Sequence, residues 1–123
     1  MSDRAIPPAE SRIEIVCRDG VWIVALHGEH DLATHSALRA ELARVAAAGG
    51  RIVVDLSPAS FLDSSVVRAL VSPAAGDESH PQVADVVAPE GTFAGRLAAL
   101  VGLDAVVRVH GSVEEALGGG PRR

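Results

Sequence analysis

Phe61-Leu62-Asp63-Ser64-Ser65-Val66-Val67-Arg68-Ala69-Leu70 follows the apolar run Arg51-Ile52-Val53-Val54-Asp55-Leu56-Ser57. The upstream run reads as a buried strand and the quoted stretch as the opening of a helix. An acidic residue and two hydroxyls therefore fall where the chain leaves a sheet and a helix begins. The first N–H groups of a helix have no intrahelical partner, and the helix dipole favours negative charge there. A serine at such a place has two readings: an ordinary N-cap, or an acceptor for a phosphoryl group.

The rest of the chain supplies an α/β frame for this turn. Ile13-Glu14-Ile15-Val16-Cys17 alternates as a half-buried strand, Asp19-Gly20 is a hairpin signal, and Val21–Leu26 is a more continuously buried strand. Leu38, Leu42 and Val45 mark the inner face of a first helix from Thr34, which Gly49-Gly50 stops. The second helix opens at Asp63-Ser64, buries Val67, Leu70 and Val71, and breaks at Pro73; Gly76 to Pro81 reads as loop. Val83–Val87 is a fourth strand, Phe93, Leu97, Leu100 and Val101 stripe a third helix ended by Gly102, and Val106–Val109 is a last strand. Ser112-Val113-Glu114-Glu115 reads as the capping box of a short final helix. The expected fold is a mixed sheet of about five strands, opened by one antiparallel hairpin, with about four helices. Residues 1–11 form an arm, 12–117 one domain, and 118–123 a disordered tail.

Composition narrows the function. The 123 residues suffice for one core, and 48% of them are hydrophobic. Only 2% are aromatic and the net charge is −5, which disfavours both base stacking and phosphate backbones, so nucleic acid is not an expected partner. No lysine occurs anywhere. That removes a P-loop and Schiff-base chemistry, and it removes a phospho-receiver domain, which relies on a late lysine. The single cysteine, Cys17, cannot form an internal disulfide and is in phase with Ile13 and Ile15, so it reads as a small core residue. No signal peptide or membrane span is legible, and the chain reads as cytoplasmic with no membrane partner.

Two other constellations carry less. His27, His30 and His35 with Asp31 are the densest set of metal-ligand types, but nothing completes a coordination shell, and they read as a polar turn before the first helix. Ser64 as a catalytic nucleophile lacks Gly-X-Ser-X-Gly and a placed histidine. Asp31 and Asp63 as an acid–base pair would sit on an exposed rim without a deep pocket. No enzymatic activity, cofactor or metal is expected.

A second turn supplies the context. Val24-Ala25-Leu26-His27-Gly28-Glu29-His30-Asp31-Leu32-Ala33-Thr34 ends a strand on Gly-acid-X-Asp before a helix. With the Asp63-Ser64-Ser65 turn, Val86-Val87-Ala88-Pro89-Glu90-Gly91, Arg96–Leu103 and Ser112–Leu117, the chain resembles the STAS domain of free-standing bacterial anti-sigma factor antagonists. The resemblance runs from about Ile13 to Leu117. It implies a partner that is an anti-sigma factor and a serine kinase. Unmodified antagonist binds this kinase and frees the sigma factor, phosphorylation ends the binding, and a phosphatase restores it. By motif Ser64 is the phosphoacceptor, Ser65 its less favoured neighbour, and Glu29, Asp31, Asp63, Ser64, Ser65, Val66 and Arg68 form the partner-binding set. A monomer or weak dimer is expected. Two departures from the family pattern stand out: Val66 replaces the usual glycine after the serines, and Pro73 shortens a helix that normally continues; Asp85, inside the fourth strand, is a further oddity. The alternative is a STAS scaffold or sensor subunit of a larger signalling or lipid-trafficking assembly, which an exposed hydrophobic groove would favour.

Overall fold

The computed structural model describes residues 11–71, 83 and 85–119. Strands β1 (Arg12–Arg18) and β2 (Val21–His30) form the antiparallel hairpin, turning on Asp19 and Gly20, both with positive φ. Helix α1 (Leu32–Ala48) leads to β3 (Arg51–Asp55), then β4 (Ala59–Leu62) and α2 (Ser64–Val71). Strand β5 (Asp85–Val87), α3 (Phe93–Val101), a 3-10 turn at Leu103–Ala105, β6 (Arg108–His110) and α4 (Val113–Gly119) complete the chain. The sheet runs β1-β2-β3-β5-β6, parallel after the opening hairpin, with β4 paired to the far end of β2.

The main core lies on one face of the sheet, where Val24, Leu26, Val54 and Val86 meet Leu38, Leu42 and Val45 of α1 and Val66, Val67 and Leu70 of α2. The opposite face is thinner: Val53 and Val87 pack on Ala116 of α4. The inner face of α1 is the one its 3.6-residue period predicts.

Several expectations are corrected. The sheet has a sixth strand, β4, which the sequence reading passed over because four residues show too little alternation to separate from a helix lead-in. Val106 is exposed, the last strand starting only at Arg108. Cys17 is exposed. Strand phase sets only a face; β1 is an edge strand, and Cys17 near its end is exposed while Ile13 and Ile15 pack against the core. In α3 the inward residues are Ala94 and Ala98, whereas Leu100 is 83% exposed and Val101 44%. Small side chains let α3 lie close to the preceding loop: a Cβ at Gly95 would stand 2.1 Å from the Pro89 carbonyl oxygen. Helix α4 continues through Gly118 and Gly119, expected in the tail. The rest of that tail, residues 1–10 of the arm, the break at Pro73 and the Gly76–Pro81 loop lie outside the described residues.

Candidate functional site

The two acidic turns are one structural unit. Strand β2 overruns β3 by several residues, and β4 takes over as its parallel partner, with Glu29 opposite Phe61 and His30 opposite Leu62. The register shifts between Gly28 and Glu29, where β4 carries an extra residue, Ser60; the φ of 82° at Gly28 suits glycine, and its N–H donates to the Pro58 carbonyl at 3.2 Å. Both strands then end together and both start helices. The Asp63 N–H donates to the His30 carbonyl at 3.0 Å, so the Gly28–Asp31 and Asp63–Ser65 turns lie side by side.

Each turn is capped by its aspartate. Asp31 accepts from the Ala33 N–H at 2.9 Å, and Asp63 accepts from the Ser65 N–H at 2.8 Å through Oδ1. The Val66 and Val67 N–H groups donate to the Asp63 carbonyl at 2.9 and 3.3 Å. Asp63 is therefore the N-cap of α2, and Ser64 is its first helical residue with an exposed side chain. The capping reading of Ser64 falls, because that bond is already made. Ser65 differs from it: its Oγ is buried and has no hydrogen-bond partner among the described residues.

The other candidates divide. Glu29 is exposed, its carbonyl accepting from the Ser11 hydroxyl, and Asp31 is exposed beside it. Val66 is not a surface residue: it is fully buried in the main core, because the third position of α2 faces the sheet. Its bulk, where the family pattern has glycine, is thus not displayed beside Ser64. The side chain of Arg68 lies outside the described residues. The histidines belong to β2 and α1 and do not form a turn cluster. His27 Nε2 pairs with Glu14 at 2.8 Å, and His30 is fully buried, its Nε2 donating to the His27 carbonyl at 3.0 Å and its Nδ1 bonded to Thr34 Oγ1 at 3.1 Å. The β2 alternation could have shown this, since His30 shares the phase of Val24 and Leu26. Among the described residues no three His, Cys, Asp or Glu side chains gather as a metal set.

Next to Ser64 opens a groove of about 600 Å³, floored by Phe61, Phe93, Leu97, Leu100 and Val101. Its polar lining residues are Asp63, Ser64 and Arg96. The Phe61 and Phe93 rings, 5.6 Å apart, hold β4 against the start of α3. Of the apolar stripe expected on α3, Phe93 and Leu97 pack against the core, whereas Leu100 and Val101 are exposed along the groove.

A second polar centre lies at the start of β5. Asp85 is fully buried and takes hydrogen bonds from Arg108 (2.8 and 3.0 Å), Arg51 (3.1 Å) and His110 (2.9 Å). Burial pushes its carboxyl up, but these three donors outweigh burial and hold it well below the usual carboxylate range. Arg51 also donates to the Ala116 carbonyl at 2.8 Å, tying α4 to the sheet. The oddity of an acid in this strand is thereby explained as a tie between three strands and a helix.

Residues 17–110 match the family model described as "Mlab, STAS domain". The chain belongs to the STAS-domain family. The crystal structure of an anti-sigma factor antagonist from Mycobacterium paratuberculosis is similar to this STAS domain at 28% identity and a TM-score of 0.74, over 90% of this chain and 94% of that one. The anti-sigma factor antagonist SpoIIAA in its unphosphorylated form shares the fold at 22% identity and a TM-score of 0.60, over 88% of this chain and 93% of that one. Comparison with curated proteins finds no match. No helix among the described residues of this STAS domain is long and apolar enough to cross a membrane.

Proposed function

We propose that this STAS domain is an anti-sigma factor antagonist: it binds an anti-sigma factor that is a serine kinase, releases the sigma factor, and is switched off by phosphorylation of Ser64. The observation that carries the reading is the division of labour at α2, where Asp63 caps the helix and leaves the Ser64 hydroxyl exposed and spare. In the switching step the γ-phosphoryl group of ATP passes to Ser64 Oγ. An O–P bond forms there, the bond to ADP breaks, and the hydroxyl proton leaves to a base of the kinase. The modification brings about −1.5 to −2 charges onto a surface that already carries Asp31 and Asp63. A partner pressed against that surface would bury the charge unpaired, and a loss of about 3 kcal/mol is more than a hundredfold in affinity. The domain acts as a binding module and needs no cofactor. Incubation with purified anti-sigma kinases and ATP, followed by mass spectrometry, tests it: phosphate on Ser64 supports the reading, and none on any serine rejects it.

The groove beside α3 favours a second reading, a scaffold or sensor subunit of a larger assembly without a sigma factor. There the groove, and not Ser64, would carry the contact. A partner that is lost on Leu100→Glu but unaffected by Ser64→Asp would select this second reading over the first.

A further inference from the structure

Phosphoserine at the start of a helix is ordinarily eased by free backbone N–H groups. Here three of those donors are already taken. The Ser65 N–H is held by the Asp63 carboxylate, and the Val66 and Val67 N–H groups by the Asp63 carbonyl. The neighbouring side chains include an exposed carboxylate, Asp31, at the adjacent start of α1. A cationic side chain beside the phosphate would supply what those three donors do not.

Arg96 is in position to supply it. The Phe61–Phe93 ring contact fixes β4 against α3, and Ser64 and Arg96 each stand three residues beyond one of these rings. Both line the same groove. The Arg96 guanidinium meets only the Gly91 carbonyl, at 3.2 Å, and has no carboxylate partner among the described residues. Its fork can therefore turn to a phosphate without breaking an ion pair.

We propose that phosphorylated Ser64 is paired by Arg96 across the groove between β4 and α3. The modification then covers the apolar floor of Phe61, Leu97 and Leu100 as well as adding charge. Arg96 is a positioning residue for the modified state. The proposal rests on the reading of Ser64 as the phosphoacceptor.

The test is a ³¹P NMR titration of the protein with phosphoserine installed at position 64 during translation. Because no kinase is involved, failure of this proposal stays distinct from failure of the phosphorylation reading. A phosphoserine monoester has its second pKa near 6, and a paired guanidinium lowers it. The wild type should titrate about half a unit or more below Arg96→Ala and Arg96→Gln, with Arg96→Lys between them. Arg44→Ala, which removes an exposed arginine paired with Glu41, should titrate like the wild type. Arg68 lies one turn along α2 from Ser64, so Arg68→Ala serves as the rival arm. Equal titration of wild type, Arg96→Ala and Arg96→Gln overturns the proposal, and so does a shift lost only in Arg68→Ala.

Discussion

The backbone N–H of Asp63 donates to the carbonyl of His30 at 3.0 Å, and this bond joins the two acidic turns into one surface. It extends the β2–β4 pairing past the last side-chain pair, so Asp31 and Ser64 leave the sheet from the same edge. The buried imidazole of His30 braces the β2 end of that edge between the His27 carbonyl and Thr34.

Stability should separate Asp63 from Ser64. Asp63→Ala removes the cap of α2 and should cost about 1 kcal/mol, within a usual range of about 0.5–2. Ser64→Ala should change stability by less than about 0.5 kcal/mol, as exposed positions do. Ser65→Ala removes a buried hydroxyl that has no partner among the described residues and should be neutral or stabilising by up to about 1 kcal/mol. Urea unfolding of the three variants measures this. A larger loss for Ser64→Ala than for Asp63→Ala would restore the serine as the cap.

Ser64→Asp should weaken partner binding while mimicking the phosphate incompletely, since it brings one charge in place of nearly two. In the free protein it should leave stability within about 1 kcal/mol, the helix-start preference for an acid being offset by Asp31 and Asp63. Titration calorimetry with the kinase reads the first half and thermal melts the second. Wild-type affinity in the variant would reject charge at this position as the switch.

Asp85→Asn should destabilise by about 1–3 kcal/mol at neutral pH, less than for a fully buried pair because Arg51 and Arg108 are partly exposed and can rehydrate. The pH dependence has a definite sign. The folded carboxyl titrates below its unfolded value of about 3.9, so the unfolded chain binds more protons in acid and stability rises with pH. The contribution is complete above about pH 5 and is lost as the pH falls below 3.9 towards the folded value. Melting curves of wild type and Asp85→Asn at pH 6, 4 and 3 should converge towards acid. A gap that stays constant would contradict the role of the ionised group.

Gly95→Ala should be disruptive, because the added Cβ would meet backbone at Pro89, which cannot swing aside as a side chain can. The expected loss is about 1–3 kcal/mol or more, typical of overpacking. Gly118→Ala, where a Cβ meets nothing within 4 Å, serves as control and should be neutral or better. Equal denaturant midpoints for the two would show that α3 is free to move off the loop.

Much of this architecture was legible in the residues. The hairpin at Asp19-Gly20, the buried run of β3 and the inner face of α1 follow from local periods and turn chemistry. The pairing of the two acidic turns followed from both ending strands and opening helices. What escaped was set by tertiary geometry. The partners of Asp85 come from positions 51, 108 and 110, which no local pattern joins. The inner face of α3 went to Ala94 and Ala98 because the close approach at Gly95 favours small side chains over large ones. Val66 was read by its place in a motif, although its place in the helix turns it inward.

In the proposed function Ser64 is the residue through which the partner switches this protein. The most direct measurement of that role is phosphate incorporation, mapped by mass spectrometry, after incubation of wild type, Ser64→Ala and Ser65→Ala with an anti-sigma kinase and ATP. Phosphate is expected on Ser64 in the wild type and in Ser65→Ala, and almost none in Ser64→Ala. Unchanged incorporation in Ser64→Ala, with loss in Ser65→Ala, would contradict that role.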